Sequence, residues 1–266
     1  MGIKTVKKGA LEYLAAEGIA VSHAFTTRHG GVSQGAFASL NISMHRGDAD
    51  ENVAKNLQIL ADALQFDPKK LVLTRQTHSD IIRVVTAADH IGIDHHEYPE
   101  CDALVTAEPE VALMVFTADC TPILLHDPMT GAVGAVHAGW RGTAADIVGK
   151  TVRAMEENFG AKRENIRAAI GPNIAACCFE TDADVPQAML AALGDKAKEF
   201  IRAEKDKHYV NLKALNACFL RRAGVTKIEI SDDCTMCQNR RFWSHRITVG
   251  NRGSQGAIIV CKGVSP

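Results

Sequence analysis

The centre of the chain carries three apolar runs in close succession, residues 111–117, 122–125 and 132–137, divided by Ala118-Asp119-Cys120 and by Asp127-Pro128. Each run has the length of a strand, and the breaks between them have the composition of turns. After Gly139-Trp140-Arg141-Gly142 the period changes to that of a helix. Ile147, Thr151, Met155 and Phe159 share one face, Thr143 is placed to cap it with Asp146 three residues on, and Gly160 supplies the stop. The alternation extends in both directions. Asp50–Leu64 reads as a helix through Val53, Leu57, Leu60 and Leu64, and further helices are expected near residues 185–193 and 212–223, the latter closed by Gly224. Strands at 71–74, 81–85, 166–170, 225–230 and 257–261 complete the series. Interleaving of this kind predicts an α/β fold, a layered αβ sandwich around a mixed β-sheet. The stretch up to Asp50 is rich in turn residues, notably Arg28-His29-Gly30-Gly31-Val32-Ser33-Gln34-Gly35. No internal repeat, low-complexity tract or Pro/Gly/Ser linker divides the chain, so residues 1–266 are expected to form one domain.

Charge narrows the partners. Thirty Lys and Arg face 31 Asp and Glu, a net charge of -1, which argues against a broad interface with nucleic acid or anionic lipid. A local basic pocket for one phosphate is compatible with that balance. No apolar run approaches the roughly 18–20 residues that span a bilayer, and the N-terminus has no continuous hydrophobic segment of the secretory kind. The expectation is a soluble cytoplasmic protein whose 8 cysteines are free thiols or metal ligands. Asn41-Ile42-Ser43 is then an idle match to a glycosylation site.

Three residues at strand-to-loop transitions are candidates for chemistry: His78 in Gln76-Thr77-His78, Cys120 in Ala118-Asp119-Cys120, and His137 in His137-Ala138-Gly139-Trp140-Arg141-Gly142. Two imidazoles and a thiolate suit zinc, and three protein ligands leave a fourth position open, as catalytic sites do. Each residue alone also has a plain explanation, the cysteine as a small buried hydrophobe and the histidines as surface or core residues. Their separations match no local zinc spacing. Gly139 and Gly142 favour the site, because glycine there permits close backbone approach.

The strings Thr27-Arg28-His29-Gly30-Gly31-Val32-Ser33, Ser39-Leu40-Asn41, Gln76-Thr77-His78, Asp102-Ala103-Leu104-Val105-Thr106, Ala118-Asp119-Cys120, His137-Ala138-Gly139-Trp140-Arg141-Gly142, Ile170-Gly171-Pro172, Cys177-Cys178-Phe179-Glu180 and Gly250-Asn251-Arg252 occur in this order. Together they resemble the laccase-domain family, first called multicopper polyphenol oxidases and later described as purine nucleoside phosphorylases with adenosine deaminase activity. The resemblance runs from about Phe25 to the C-terminus. It implies that His78, Cys120 and His137 are the metal ligands. The sequence departs from it at Trp243-Ser244-His245, where relatives commonly carry phenylalanine, serine and tyrosine.

The implied chemistry assigns expectations to particular residues. Phosphorolysis needs phosphate held beside the anomeric carbon of a purine nucleoside. Arg28, beside a glycine pair, and Arg141, before a helix start, are candidates for that pocket, with Asn41 and Gln76 as further substrate-binding residues. Deamination calls for an activated water and a carboxylate to shuttle protons, for which Asp119 and Glu180 are the candidates, beside Cys120 and His137 at the centre. Zinc is the expected cofactor and copper the alternative.

Other patterns lead elsewhere. Gly31-Val32-Ser33-Gln34-Gly35 matches a nucleophile elbow, but the residues after it lack helical periodicity. Cys234-Thr235-Met236-Cys237 has no second CxxC to complete a four-cysteine site and reads as two thiols near a turn. Cys177-Cys178 reads as packing, and His95-His96 as a solvated polar loop. Two rival functions remain: a Cys-His amide or ester hydrolase with Cys120 as nucleophile, and a copper oxidase of phenols. The second is disfavoured because a multicopper centre calls for paired histidines, and none of the 11 histidines forms an HxH pair.

Overall fold

The strands separate into two stacked six-stranded sheets in a computed structural model of the chain, which describes residues 2–44, 46–89 and 98–263. In chain order, β1 (Ile3–Lys8), β2 (Leu11–Ala16) and β3 (His23–Thr26) precede α1 (Asp50–Leu64), β4 (Leu71–Val72) and β5 (Ile82–Val84). The centre holds β6 (Ala103–Thr106), β7 (Ala112–Thr117), β8 (Thr121–His126) and β9 (Val133–Ala138), then α2 (Trp140–Ala144), α3 (Ile147–Phe159) and β10 (Arg167–Ile170). The last third adds β11 (Glu180–Thr181), α4 (Asp184–Leu193), β12 (Ile201–Glu204), β13 (Lys207–Val210) and α5 (Leu212–Arg222). It closes with β14 (Lys227–Ile230), α6 (His245–Thr248) and β15 (Gln255–Val260).

The first sheet has the order β1-β2-β3-β15-β7-β4 and the second β14-β10-β8-β9-β6-β5. Both are mixed, with β4 parallel to β7 in the first and with β5/β6 and β10/β14 parallel in the second. Side-chain alternation explains the layers. Leu113 and Val115 of β7 point into the core between the sheets, where they meet Leu124, Ala135 and Ala169 of the second sheet. Ala112 and Met114 point the other way, against Val53, Leu57, Leu60 and Leu64 of α1. On the far face of the second sheet, Ile123, Leu125 and Val136 pack against Ile147, Val152 and Met155 of α3 and Phe219 of α5. The result is four layers, α/β/β/α. Val53, Leu57, Leu60 and Leu64 are at most 4% exposed, and each contributes roughly 1.5–3 kcal/mol by leaving water.

The α/β class and the layered sandwich of mixed sheet hold; what the sequence left open is that the strands divide into two sheets, because strands buried on both faces read as uniform apolar runs and do not reveal their layer. Several expectations are corrected. The turn-rich opening contains the antiparallel strands β1, β2 and β3. The predicted helix cap moves from Thr143 to Asp146, which adopts a left-handed conformation and accepts from the Gly149 amide at 3.1 Å. The five-residue α2 is thereby detached from α3. Gly160 does end α3, with φ +65°. A small sheet, β11-β13-β12, was not anticipated. Among the described residues no helix is long and apolar enough to cross a membrane. His95 and His96 lie outside the described residues.

Candidate active site

Strand β7 belongs to the first sheet and β8 to the second, so Ala118-Asp119-Cys120 is a crossing between layers. The segment from β4 to β5 makes another crossing and carries His78. His137 is next to last in β9, opposite Pro122 of β8, which sets it beside Cys120. Two of these turns need unusual backbone, with φ +61° at His78 and +82° at Asp119. The Cys120 Sγ lies 3.7 Å from His78 Nε2, and the His78 and His137 rings stand edge to face with centroids 5.0 Å apart. One donor atom from each of the three residues falls within 4.8 Å of the others. Gly139 makes room for them: a Cβ there would sit 2.7 Å from His78 Cδ2 and 3.4 Å from Cys120 Sγ.

Asp102, fully buried, organises the group. Its Oδ1 accepts from His137 Nδ1 at 2.7 Å and from the His78 amide at 3.2 Å. Its Oδ2 accepts from the Ser79 amide and hydroxyl at 2.8 and 2.6 Å and from the Thr77 amide at 3.1 Å. Burial alone would raise its pKa, but the hydrogen bonds from His137 and Ser79 hold it at about 2. The ionised carboxylate therefore fixes the proton on His137 Nδ1 and leaves Nε2 as the ring's donor atom. Burial would also lower His137 and raise Cys120. Their mutual attraction wins, with Asp102 and His78 assisting, and places His137 at about 9 and Cys120 at about 6.

The three side chains line a cavity of about 1170 Å³. Phe116, Trp140 and Phe179 give it aromatic walls, Arg46, Arg141, Arg246 and Arg252 give it positive charge, and His245 lies beside them. Arg252 donates through Nη1 to the Gly253 carbonyl and the Ser254 hydroxyl, while its buried Nε has no partner among the described residues. Burial and the charge of Arg46 lower the pKa of Arg252, and burial, Arg252 and Arg46 lower that of His245. Crowded cations of this kind complement an anion.

The structure sorts the sequence-derived candidates. Arg28 does not line the cavity. Its Nε and Nη2 donate to the Ala38 carbonyl and its Nη1 to the Asn239 carbonyl, with the guanidinium over the Trp243 ring, so the fork braces a loop. Asn41 is also corrected: it is fully buried, with its amide spent on Ser43, Asp48 and Ser254. Gln76 lines the cavity, but both ends of its amide pair with the backbone of Phe116. Arg141 lines it and stacks on Trp140 at 4.2 Å. Asp119 lines it with its carboxylate saturated by the Thr235 and Ser244 hydroxyls and the Arg246 amide. That makes Asp119 a brace. Glu180 is exposed, is not part of the cavity wall, and accepts from the Tyr209 hydroxyl. Sequence reasoning missed Asp102, Arg46, Arg252 and His245 as site residues. Asp102 and Arg252 lie inside strings quoted above, and the available signal was a charge set close to an apolar strand. Cys177-Cys178, expected as packing, and Cys234 and Cys237, expected as two thiols near a turn, bring their four sulfurs together.

A family model described as multi-copper polyphenol oxidoreductase laccase matches residues 22–262. A purine nucleoside phosphorylase of Deinococcus radiodurans is 40% identical, the match covering 94% of this chain and 92% of that protein. One from Bacteroides thetaiotaomicron is 36% identical over 85% of this chain and 86% of its own. The crystal structure of YlmD from Geobacillus stearothermophilus superposes with a TM-score of 0.91 at 34% identity, covering 97% of this chain and 98% of that one.

Proposed function

The chain belongs to the multi-copper polyphenol oxidoreductase laccase family, and from that premise we propose that it is a zinc-dependent purine nucleoside phosphorylase that also deaminates adenosine. One observation carries the reading: a two-histidine, one-cysteine donor set opens into a cavity with aromatic walls on one part and a cluster of arginines on another. The donor set fits zinc. Its ligands are borderline in softness, and Asp102 presets His137 Nε2 as a donor, the carboxylate–histidine arrangement that supports metal ligation. His78, Cys120 and His137 would hold the ion, which supplies Lewis-acid polarisation when bound.

The chain's own residues do the rest. Phe116, Trp140 and Phe179 offer faces for a purine ring. Arg252, Arg46 and His245, with Arg141 nearby, hold phosphate against the ribose by charge-assisted hydrogen bonds. A phosphate oxygen attacks C1′, the bond from C1′ to the purine nitrogen breaks, and the base leaves with the electron pair and takes up a proton. The products are free purine and ribose 1-phosphate. In deamination, water adds to the purine ring at the amino-bearing carbon and ammonia leaves. His245, whose neutral form is favoured by burial and by its arginine neighbours, is positioned to exchange the proton in either course. The test is elemental analysis coupled to an assay on adenosine. Adenine and ribose phosphate are expected only with added phosphate, and inosine without it. Protein free of zinc, or carrying several coppers per chain, would remove the basis of the reading.

The hydrogen-bonded series Cys120, His137 and Asp102 favours one second reading, a cysteine hydrolase with His137 as base. It predicts activity that resists chelators.

A further inference from the structure

The geometry points to a second metal site, a closed tetrathiolate zinc centre formed by Cys177, Cys178, Cys234 and Cys237. The four Sγ atoms all lie within 4.8 Å of one another, with Cys177–Cys178 and Cys177–Cys237 at 3.6 Å and Cys178–Cys237 at 3.4 Å. A tetrahedron of sulfurs around zinc, with Zn–S near 2.3 Å, has edges of about 3.8 Å. A disulfide would need roughly 2.05 Å. The observed spacing is therefore that of ligands about to close on an ion.

The fold builds this cluster deliberately. Strands β10 and β14 are parallel neighbours, so the loops after them leave the sheet at the same end. A bridge between Asn173 and Cys234, with the Thr235 amide donating to the Asn173 carbonyl at 2.9 Å, fixes one loop on the other. That pairing brings the Cys-Cys step to the CxxC turn. The backbone also orients Cys234: the Ala175 amide donates to its Sγ at 3.4 Å. Lys213, buried under the loop, donates to the Ser231 and Asp233 carbonyls and so fixes the chain entering the CxxC turn. Four protein sulfurs leave no open position, so the role is structural.

The loops so tied are walls of the cavity. Ile174 and Phe179 come from one, and Thr235, Ser244 and the Arg246 amide, which latch Asp119, follow from the other. Zinc here would hold that wall in place. The inference is independent of the site at Cys120, and the experiment separates the two. Wild-type protein grown with zinc is expected to carry one more equivalent than Cys177→Ser/Cys237→Ser, which should keep the zinc that Cys120→Ala loses. Equal zinc in the double variant and the wild type would overturn the assignment. Should the double variant not fold, Co²⁺ substituted into the wild type decides. Intense thiolate-to-cobalt charge transfer of a four-sulfur centre is expected; a spectrum of a one-thiolate centre only would overturn it. So would iron in place of zinc, or a Cys234–Cys237 disulfide in protein purified under reductant.

Discussion

Asp102 holds His137 by a 2.7 Å hydrogen bond to Nδ1 and, through the same oxygen, holds the amide of His78. One buried carboxylate thus orients two of the three donor residues. Asp102→Asn is expected to weaken metal affinity by about 10–100-fold, the usual effect of losing such a partner. Asp102→Ala should in addition lower stability by roughly 1–3 kcal/mol or more, since buried amides of the His78 loop lose their acceptor. Competition titration with a zinc indicator and thermal denaturation separate the two effects.

Cys120 distinguishes metal ligand from nucleophile. Cys120→Ala should abolish turnover under either reading, so metal content is the measurement that decides. As a ligand, its loss releases the zinc held with His78 and His137, chelators inhibit the wild type, and bound zinc protects Cys120 from iodoacetamide. A variant with undiminished zinc, together with a chelator-resistant wild type, would establish the hydrolase reading.

Phosphate dependence should follow Arg252 and Arg46 and be indifferent to Arg28. Arg252→Ala removes a charge-assisted contact worth roughly 1.5–3 kcal/mol, about tenfold or more in kcat/KM for phosphate. Arg28→Ala, whose fork serves only the Ala38 and Asn239 carbonyls and the Trp243 ring, should lower the melting temperature and leave the phosphate KM near the wild-type value. The reverse pattern would place the pocket elsewhere.

Acid stability should depend on His126. The residue is 3% exposed, its Nδ1 has no hydrogen-bond partner among the described residues, and burial followed by the nearby Arg167 charge lowers its pKa from 6.5 to about 4. The folded state then binds fewer protons than the unfolded one between those values. The stabilising effect of keeping His126 neutral is complete above about pH 6.5 and is lost as pH falls toward 4, by an amount on the order of 3 kcal/mol. His23, also lowered by burial, adds in the same direction. His126→Gln should flatten the fall in urea midpoint between pH 7 and pH 4; an unchanged slope would show that other groups control it.

The helices α1, α3, α4 and α5 were legible because an amphipathic period of 3.6 is a local property, written in residues such as Val53, Leu57, Leu60 and Leu64. The central strands were legible as apolar runs for the same reason. The candidate metal ligands His78, Cys120 and His137 stand in motifs whose resemblance to a family spans most of the chain. The proposed phosphate pocket is less legible: a glycine pair beside Arg28 and a helix start after Arg141 favour an anion equally, yet only Arg141 lines the cavity. An arginine's sequence neighbours do not say whether its fork meets a ligand or its own carbonyls.

By itself the sequence determined the four long helices, the apolar central strands and which side chains had the chemistry to bind a metal, but not the short strands β1–β3 and β11–β13, whose residues are half polar. The tertiary structure decided that there are two sheets, that β7 and β8 lie in different layers, and that His78, Cys120 and His137 end at one edge of the sandwich under Asp102. It likewise brought Cys177-Cys178 to the CxxC turn through the parallel pairing of β10 with β14. Periodicity reports which face of an element is buried. It carries no record of the partner that buries it, because strands apolar on both faces pack equally well against either layer until register and crossings are set by the whole chain.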